Sequence, residues 1–232
     1  MSELFSIQLQ NRQQQGRDGV WLDLPTTTEQ VQAALRQIGI SSDNPQGLFI
    51  SGYFAEEEKR FAIPYNMVLA SNVDELNFLA SRLETLSTGE RAELNAALQA
   101  PQSELFSIGR ITDFPENVDY YVHLPDVHGP AQLGDYYLNR SGMVDMPEEW
   151  KGGIDTAQFG RYVAQQEQGV FTEYGYLVKS GDAWQKVHEG QPVPEEYRVL
   201  SFPAPEVLRD SANIPPPVQP ETEPQKVIPI IL

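Results

Sequence analysis

Short runs with a two-residue hydrophobic period alternate along the chain with longer runs at helical spacing. Leu4-Phe5-Ser6-Ile7-Gln8-Leu9 reads as a strand. The polar stretch Asn11 to Gly19 follows as a loop, with Gly16 and Gly19 as turn residues. Val20-Trp21-Leu22-Asp23-Leu24 reads as a second strand, stopped by Pro25. Thr26 with Glu29 three residues later is a capping-box spacing. Val31, Ala34, Leu35 and Ile38 then recur at helical spacing until Gly39. Leu48 to Phe54 reads as a third strand, which completes a small α+β unit.

The next stretch is helical. Asn72 with Glu75 is a cap, and Leu76, Leu79, Ala80, Leu83 and Leu86 form one apolar stripe. A helix of that length spans roughly 22 Å. Ser87 with Glu90 repeats the cap, and Leu94, Ala97 and Leu98 make a second stripe before Pro101. Two helices this close in sequence predict an αα-hairpin. Ser103 to Ile111 adds a further short helix.

Beyond Asp113 the pattern mixes again. Tyr120 to Leu124 reads as a strand, Gln132 to Asn139 as a helix entered after Pro130, and Ile154 to Gln165 as another. Val170-Phe171-Thr172 and Tyr174 to Val178 read as strands. Ser180-Gly181-Asp182 is a turn, after which Ala183 to Val187 is expected to pair back as a hairpin. The fold class is therefore α+β, an elongated chain of three small domains. These are an N-terminal α+β domain (1–70), a helical middle domain (71–112) and a C-terminal α+β domain (113–200). Residues 201–232 form a Pro-rich tail; eight of its last thirty residues are Pro, which favours an extended, disordered segment. Its apolar end, Val227 to Leu232, reads as a frayed terminus or as a short docking motif.

Charge changes this picture most. The chain carries 33 Asp and Glu against 16 Lys and Arg, a formal charge of −17 over 232 residues. Such a chain repels nucleic acid and anionic lipid and favours a basic partner. Residues 71–155 hold 15 acids and 5 bases, net −10, more than half the excess. These acids are dispersed over expected folded elements rather than bunched as in a disordered acidic tail. For scale, duplex DNA carries roughly 24 charges over about 40 Å of axis. From charge alone, a solvated face of an ordinary acidic protein is the favoured account. Lys59, Arg60, Arg82, Arg91 and Arg110 are expected to interrupt the negative surface.

Candidate chemistry is sparse. Without Cys there is no thiolate zinc site, Cys nucleophile or disulfide, which fits a cytoplasmic location. Met1 to Ile7 lacks the basic and apolar regions of a signal peptide, and no run is long enough to span a membrane. No Gly-x-Ser-x-Gly, P-loop or dinucleotide fingerprint occurs. His123, Asp126 and His128 match no metal-ligand spacing and read as polar residues of a loop. Asp113-x-x-Glu116-x-x-Asp119 lacks the Gly and terminal Glu of a calcium loop. No cofactor is expected, and no enzymatic activity.

Four stretches together resemble the ArdA-type antirestriction proteins of plasmids and conjugative transposons. They are Gly16 to Pro25, with its Gly-x-x-Gly-x-Trp pattern; Leu48 to Tyr53; Asp74 to Leu83; and Leu133-Gly134-Asp135-Tyr136-Tyr137. After the last come Pro147, Ile154-Asp155, Phe159-Gly160-Arg161 and Phe171-Thr172-x-x-Gly175-Tyr176. Two positions depart from the family pattern: Gly52 stands where an Asp often precedes Tyr53, and Tyr162 where an acid usually follows the Gly-Arg. Residues 181–232 lie outside the resemblance. It implies an elongated, three-domain homodimer of a mobile genetic element that mimics bent duplex DNA. Such a protein occupies the DNA groove of type I restriction-modification enzymes. The acids expected on that surface are Asp74, Glu75, Glu84, Glu90, Glu93, Asp113, Glu116, Asp119, Asp126, Glu148 and Glu149. The dimer contact is expected at Leu133, Gly134, Tyr136 and Tyr137, although the spacing of Leu133, Tyr136 and Tyr137 is equally that of a buried helix face. The alternative is a non-catalytic regulatory or adaptor protein of a mobile element that binds a basic protein.

Overall fold

A computed structural model of the chain describes residues 4–14, 18–56, 61–101 and 103–205. Gly16, Arg17, Lys59, Arg60 and the tail beyond residue 205, named above, lie outside the described residues. Strands β1 (Phe5–Asn11), β2 (Val20–Leu24) and β3 (Leu48–Phe54) form an antiparallel sheet in the order β2-β1-β3. The two-residue period puts Phe5, Ile7 and Leu9 on the buried face, opposite Ser6, Gln8 and Gln10. Helix α1 (Thr28–Gln37) covers that face with Val31, Ala34 and Leu35. Its cap lies one residue later than the sequence suggests, at Thr27 with Gln30. Thr26 is drawn into the interior instead, where its amide donates to Asn77 Oδ1 at 2.7 Å.

Helices α2 (Tyr65–Leu69), α3 (Val73–Leu83), α4 (Thr88–Gln99) and α5 (Ile108–Thr112) follow. Asn72 with Glu75 and Ser87 with Glu90 form the two expected capping boxes. The α3–α4 hairpin is not formed as a close pair. Instead α3 packs on α5, and α4 turns its buried stripe of Leu94, Ala96 and Ala97 toward the second sheet. The helix expected over Ser103 to Ile111 shortens to α5, because Ser107 caps the amide of Arg110 and starts the first turn there. One apolar cluster runs from Leu4 through α1, α3, α4 and α5 to Tyr121, Leu177 and Val199.

The second sheet, in the order β4-β6-β5, is also antiparallel: β4 (Tyr121–Leu124), β6 (Gly175–Lys179) and β5 (Val170–Thr172). Its faces serve different cores. Leu177 and Tyr121 join the large cluster, while Tyr176 belongs to a smaller one with Val127, Leu133 and Ala164. Helix α6 (Pro130–Asp135) runs into a π-turn (Tyr136–Arg140). The one-turn α7 (Glu148–Lys151) and the longer α8 (Thr156–Glu167) come next. Helices α6 and α8 cross at two glycines. A Cβ at Gly134 would lie 1.9 Å from the Thr156 carbonyl oxygen, and one at Gly160 would lie 1.8 Å from that of Pro130. Only glycine permits that backbone approach. Glu167 on α8 accepts hydrogen bonds from the Tyr137 hydroxyl and, at 2.9 Å, from that of Tyr176. Burial, and then this carboxylate, hold both phenols well above their ordinary range.

The expected hairpin of Ala183 to Val187 is absent, because β6 already has β4 and β5 on its two edges. Among the described residues after β6, 180–205, the chain runs back over the helices, and its one regular element is a 3₁₀ turn at Glu195–Tyr197.

Candidate partner-binding acidic surface

The acids expected on one surface fall into three groups. The first is used by the fold. Asp113 is 0% exposed, and its carboxylate accepts the amides of Val187, His188 and Glu189 at 3.2, 2.6 and 3.2 Å. It is therefore not a surface group. Its position in a polar-looking Asp-x-x-Glu-x-x-Asp run concealed this, since the amides it holds lie more than seventy residues away. Asp74, half-buried near the start of α3, accepts the amides of Val199 and Leu200, both at 2.7 Å. Glu75 is turned back to cap its own helix, its carboxylate 3.4 Å from the Asn72 amide. Glu84 is the C-cap residue of the same helix.

The second group is brought together from separate elements. Glu90 sits in the first turn of α4, and Glu93 stands one turn further on. The Ser87 hydroxyl and amide hold the Glu90 carboxyl below the usual carboxylate range. Glu93 goes the other way. Burial, then the charges of Asp119 and Glu90, push its carboxyl up to about 8. Glu93 is thus largely protonated at neutral pH, and its buried Oε1 has no hydrogen-bond partner among the described residues. Asp119 is exposed on the 3₁₀ turn before β4. With Glu116 and Asp182 it lines a shallow hollow of about 310 Å³, floored by Asn117 and Tyr120. Glu116 is paired with Arg82. Sequence reasoning missed Asp182, because nothing in the local pattern ties a turn after β6 to a residue before β4.

The third group is Asp126, Glu148 and Glu149, all exposed in the region of α6 to α8. Glu148 meets Lys151 at 2.9 Å one turn on. No described contact joins these three to the α4 group.

Of the bases expected to interrupt the negative surface, Arg82, Arg91 and Arg110 are described, and each is engaged by groups of the chain itself. Arg110 is 7% exposed and lies between Glu104 at 2.8 Å and Glu189 at 3.0 Å, with its guanidinium 4.4 Å from the Phe106 ring centre. Arg91 donates to the Leu86 carbonyl and lies over Phe61. Arg82 takes Glu116.

The expected dimer residues divide as well. Leu133 is fully buried in the chain's own small core, and Gly134 is closed off by Thr156 and Gly160. Neither offers a surface, because α6 uses both to seat α8. Tyr136 and Tyr137 are half-buried and pack against the same core. His123 donates from Nε2 to the Tyr174 carbonyl at 2.7 Å, and His128 lies in the loop ahead of α6. Among the described residues no group of three or more His, Cys, Asp or Glu side chains could hold a metal, and no helix is long and apolar enough to cross a membrane.

The α+β architecture, with acids collected from α4, a 3₁₀ turn and the segment after β6, belongs to a chain that matches antirestriction proteins, a class directed at restriction enzymes. The match to the antirestriction protein (ArdA) family covers residues 15–178, well over half of the length, and the chain belongs to that family. It ends within β6, so the segment that supplies Asp182 and holds Asp113 lies beyond it. Comparison with curated proteins finds no match.

Proposed function

We propose that the protein acts in the cytoplasm as a DNA mimic. In this reading its carboxylates occupy the DNA-binding groove of a type I restriction-modification enzyme, and no reaction is catalysed. The observation that carries the reading is the α4 group. Asp119 and Asp182 present carboxylates from two separate elements around one hollow that Glu116 also lines, and Asp119 acts on Glu93 of α4, beside the cap residue Glu90. Carboxylates fixed on a folded scaffold meet a Lys- and Arg-lined groove without the bending and ordering costs of real DNA. They also exploit the counterion release that drives DNA binding. On this reading Asp126, Glu148 and Glu149 offer a second set of exposed carboxylates in the C-terminal unit, and Tyr136 and Tyr137 contribute to a homodimer contact.

Glu93 adds a chemical consequence. A Lys or Arg of the partner placed beside it would favour its charged form, so complex formation near neutral pH should release a proton. The test is a plasmid-restriction assay in cells carrying a type I system, with and without this protein, followed by binding of the purified enzyme across a salt series. Restriction should be relieved, and affinity should fall on the order of tenfold or more between about 50 and about 200 mM salt. Unchanged restriction, or an affinity indifferent to salt, would overturn the reading.

A further inference from the structure

The segment after β6 has the composition of a loop and the bonding of a structural element. From Ser180 to Pro203 it meets every layer of the molecule in turn. Ser180 donates its amide to the Tyr120 carbonyl at 2.9 Å, beside the second sheet. Gln185 exchanges two hydrogen bonds with the Asn117 side chain, at 2.7 and 3.0 Å. The three amides of Val187 to Glu189 then close on buried Asp113. Tyr197 stacks on Phe78 with ring centres 4.6 Å apart, and its carbonyl accepts from Asn77 at 3.0 Å. The opposite end of the Asn77 amide holds the amide of Thr26, where the first sheet passes into α1. Val199 is buried in the large core, and its amide and that of Leu200 share Asp74. Finally the Pro203 carbonyl accepts the amide of Ser42, in the loop after α1.

We infer that residues 180–203 form a strap, one cooperative unit that clamps the first sheet, the helices and the second sheet in a single arrangement. Two features set it apart from a surface loop. Between its backbone-bonded ends, its anchors Asn117, Asp113, Asn77 and Asp74 are side chains of other elements that accept from or donate to strap backbone, so each of these can be removed without touching the strap sequence. The anchors are also distributed, with Asp113 at one end and Asp74 at the other joined by a stretch whose own secondary structure is a single 3₁₀ turn. Within the strap itself the hydrogen bonds are short-range turn contacts, such as Gln191 to His188, Tyr197 to Pro194 and Arg198 to Glu195, so the anchors on the rest of the chain hold it in place, and freeing one end loosens the path to the other. Seating the strap also decides which carboxylates are accessible. It withdraws Asp113, half-covers Asp74, and sets Asp182, Glu195 and Glu196 at the surface. The inference stands apart from the proposed partner, because it concerns the chain alone.

The test is amide hydrogen exchange on the full chain and on two single variants. Asp74→Ala should speed exchange about tenfold or more at Val199 and Leu200, and also at the distant Val187 to Glu189. Asp113→Ala should do the reverse, reaching Val199 and Leu200. If each variant accelerates only the amides its own carboxylate accepts, the strap is not a unit and the inference fails. Should Asp113→Ala not fold, the half-buried Asp74 variant decides alone. Limited proteolysis gives a second readout: cleavage within 183–203 should accelerate in either variant, and equal resistance to the unaltered chain would count against the strap.

Discussion

Asp113 and Glu93 are two acids of the same middle stretch, both expected on one negative surface, and the structure gives them opposite environments. Asp113 is wholly buried, and three backbone amides converge on its carboxylate. Glu93 is only half-buried, yet its neighbours are other carboxylates, and its proton is held up to about 8. Burial alone does not set the outcome for a charged group; the dipoles and charges that face it do. Amide dipoles replace the water that Asp113 loses. Around Glu93, Asp119 and Glu90 add their repulsion to the loss of water. An acid count over this stretch therefore overstates the negative surface, once for acids used inside the fold and once for an acid that keeps its proton.

The contrast can be broken most forcefully at Asp113. Replacing it with Ala leaves three amides without their acceptor and should destabilise the chain by about 3 kcal/mol or more, read as a lowered midpoint of urea unfolding. Asp113→Asn, which keeps one acceptor oxygen, should recover part of that loss; a full loss would show that charge rather than hydrogen-bond number matters there.

Glu93→Gln probes the other side. Glu93 stays protonated in the folded chain up to about 8 while the unfolded chain releases its proton near 4.5, so stability attributable to this group falls as pH rises between those values. The Gln variant should thus unfold like the parent near pH 4 and be more stable than the parent at pH 8.5. A stability difference that does not grow with pH would refute the assignment. A smaller effect should follow Asp119→Asn, which removes the larger of the two charges raising Glu93: the Glu93 titration midpoint, followed by NMR, should move down from about 8. Smallest in stability is the double change Asp119→Asn with Asp182→Asn, expected within about 0.5 kcal/mol of the parent. On the mimicry reading it should nonetheless weaken binding to a type I enzyme several-fold at low salt, which separates surface acids from structural ones.

Much of the local fold was legible in the sequence. The strand alternation in Phe5 to Leu9, the capping boxes at Asn72 and Ser87 and the helix opened by Asp155 all depend on neighbours within four residues. The errors came where distant groups competed. The cap stands at Thr27 rather than Thr26, which is drawn inward where Asn77, fifty-one residues away, takes its amide. The stripe of α4 turned to the second sheet rather than to α3, since amphipathic spacing states that a face is buried and not against what. Glycines 134 and 160 carried the family resemblance, and the physical need for them, two helix backbones in contact, shows only once α6 and α8 cross.

The sequence by itself determined the α+β class, most element boundaries, the concentration of acid between residues 71 and 155 and membership of the antirestriction family. It could do so because hydrophobic period, capping chemistry and motif order are local properties of a chain. Only the tertiary structure decided which carboxylates face solvent. That depends on where the segment after β6 lays its amides and where Arg82 and Arg110 find their partners. These contacts join residues thirty to more than a hundred positions apart, whose meeting no local pattern encodes.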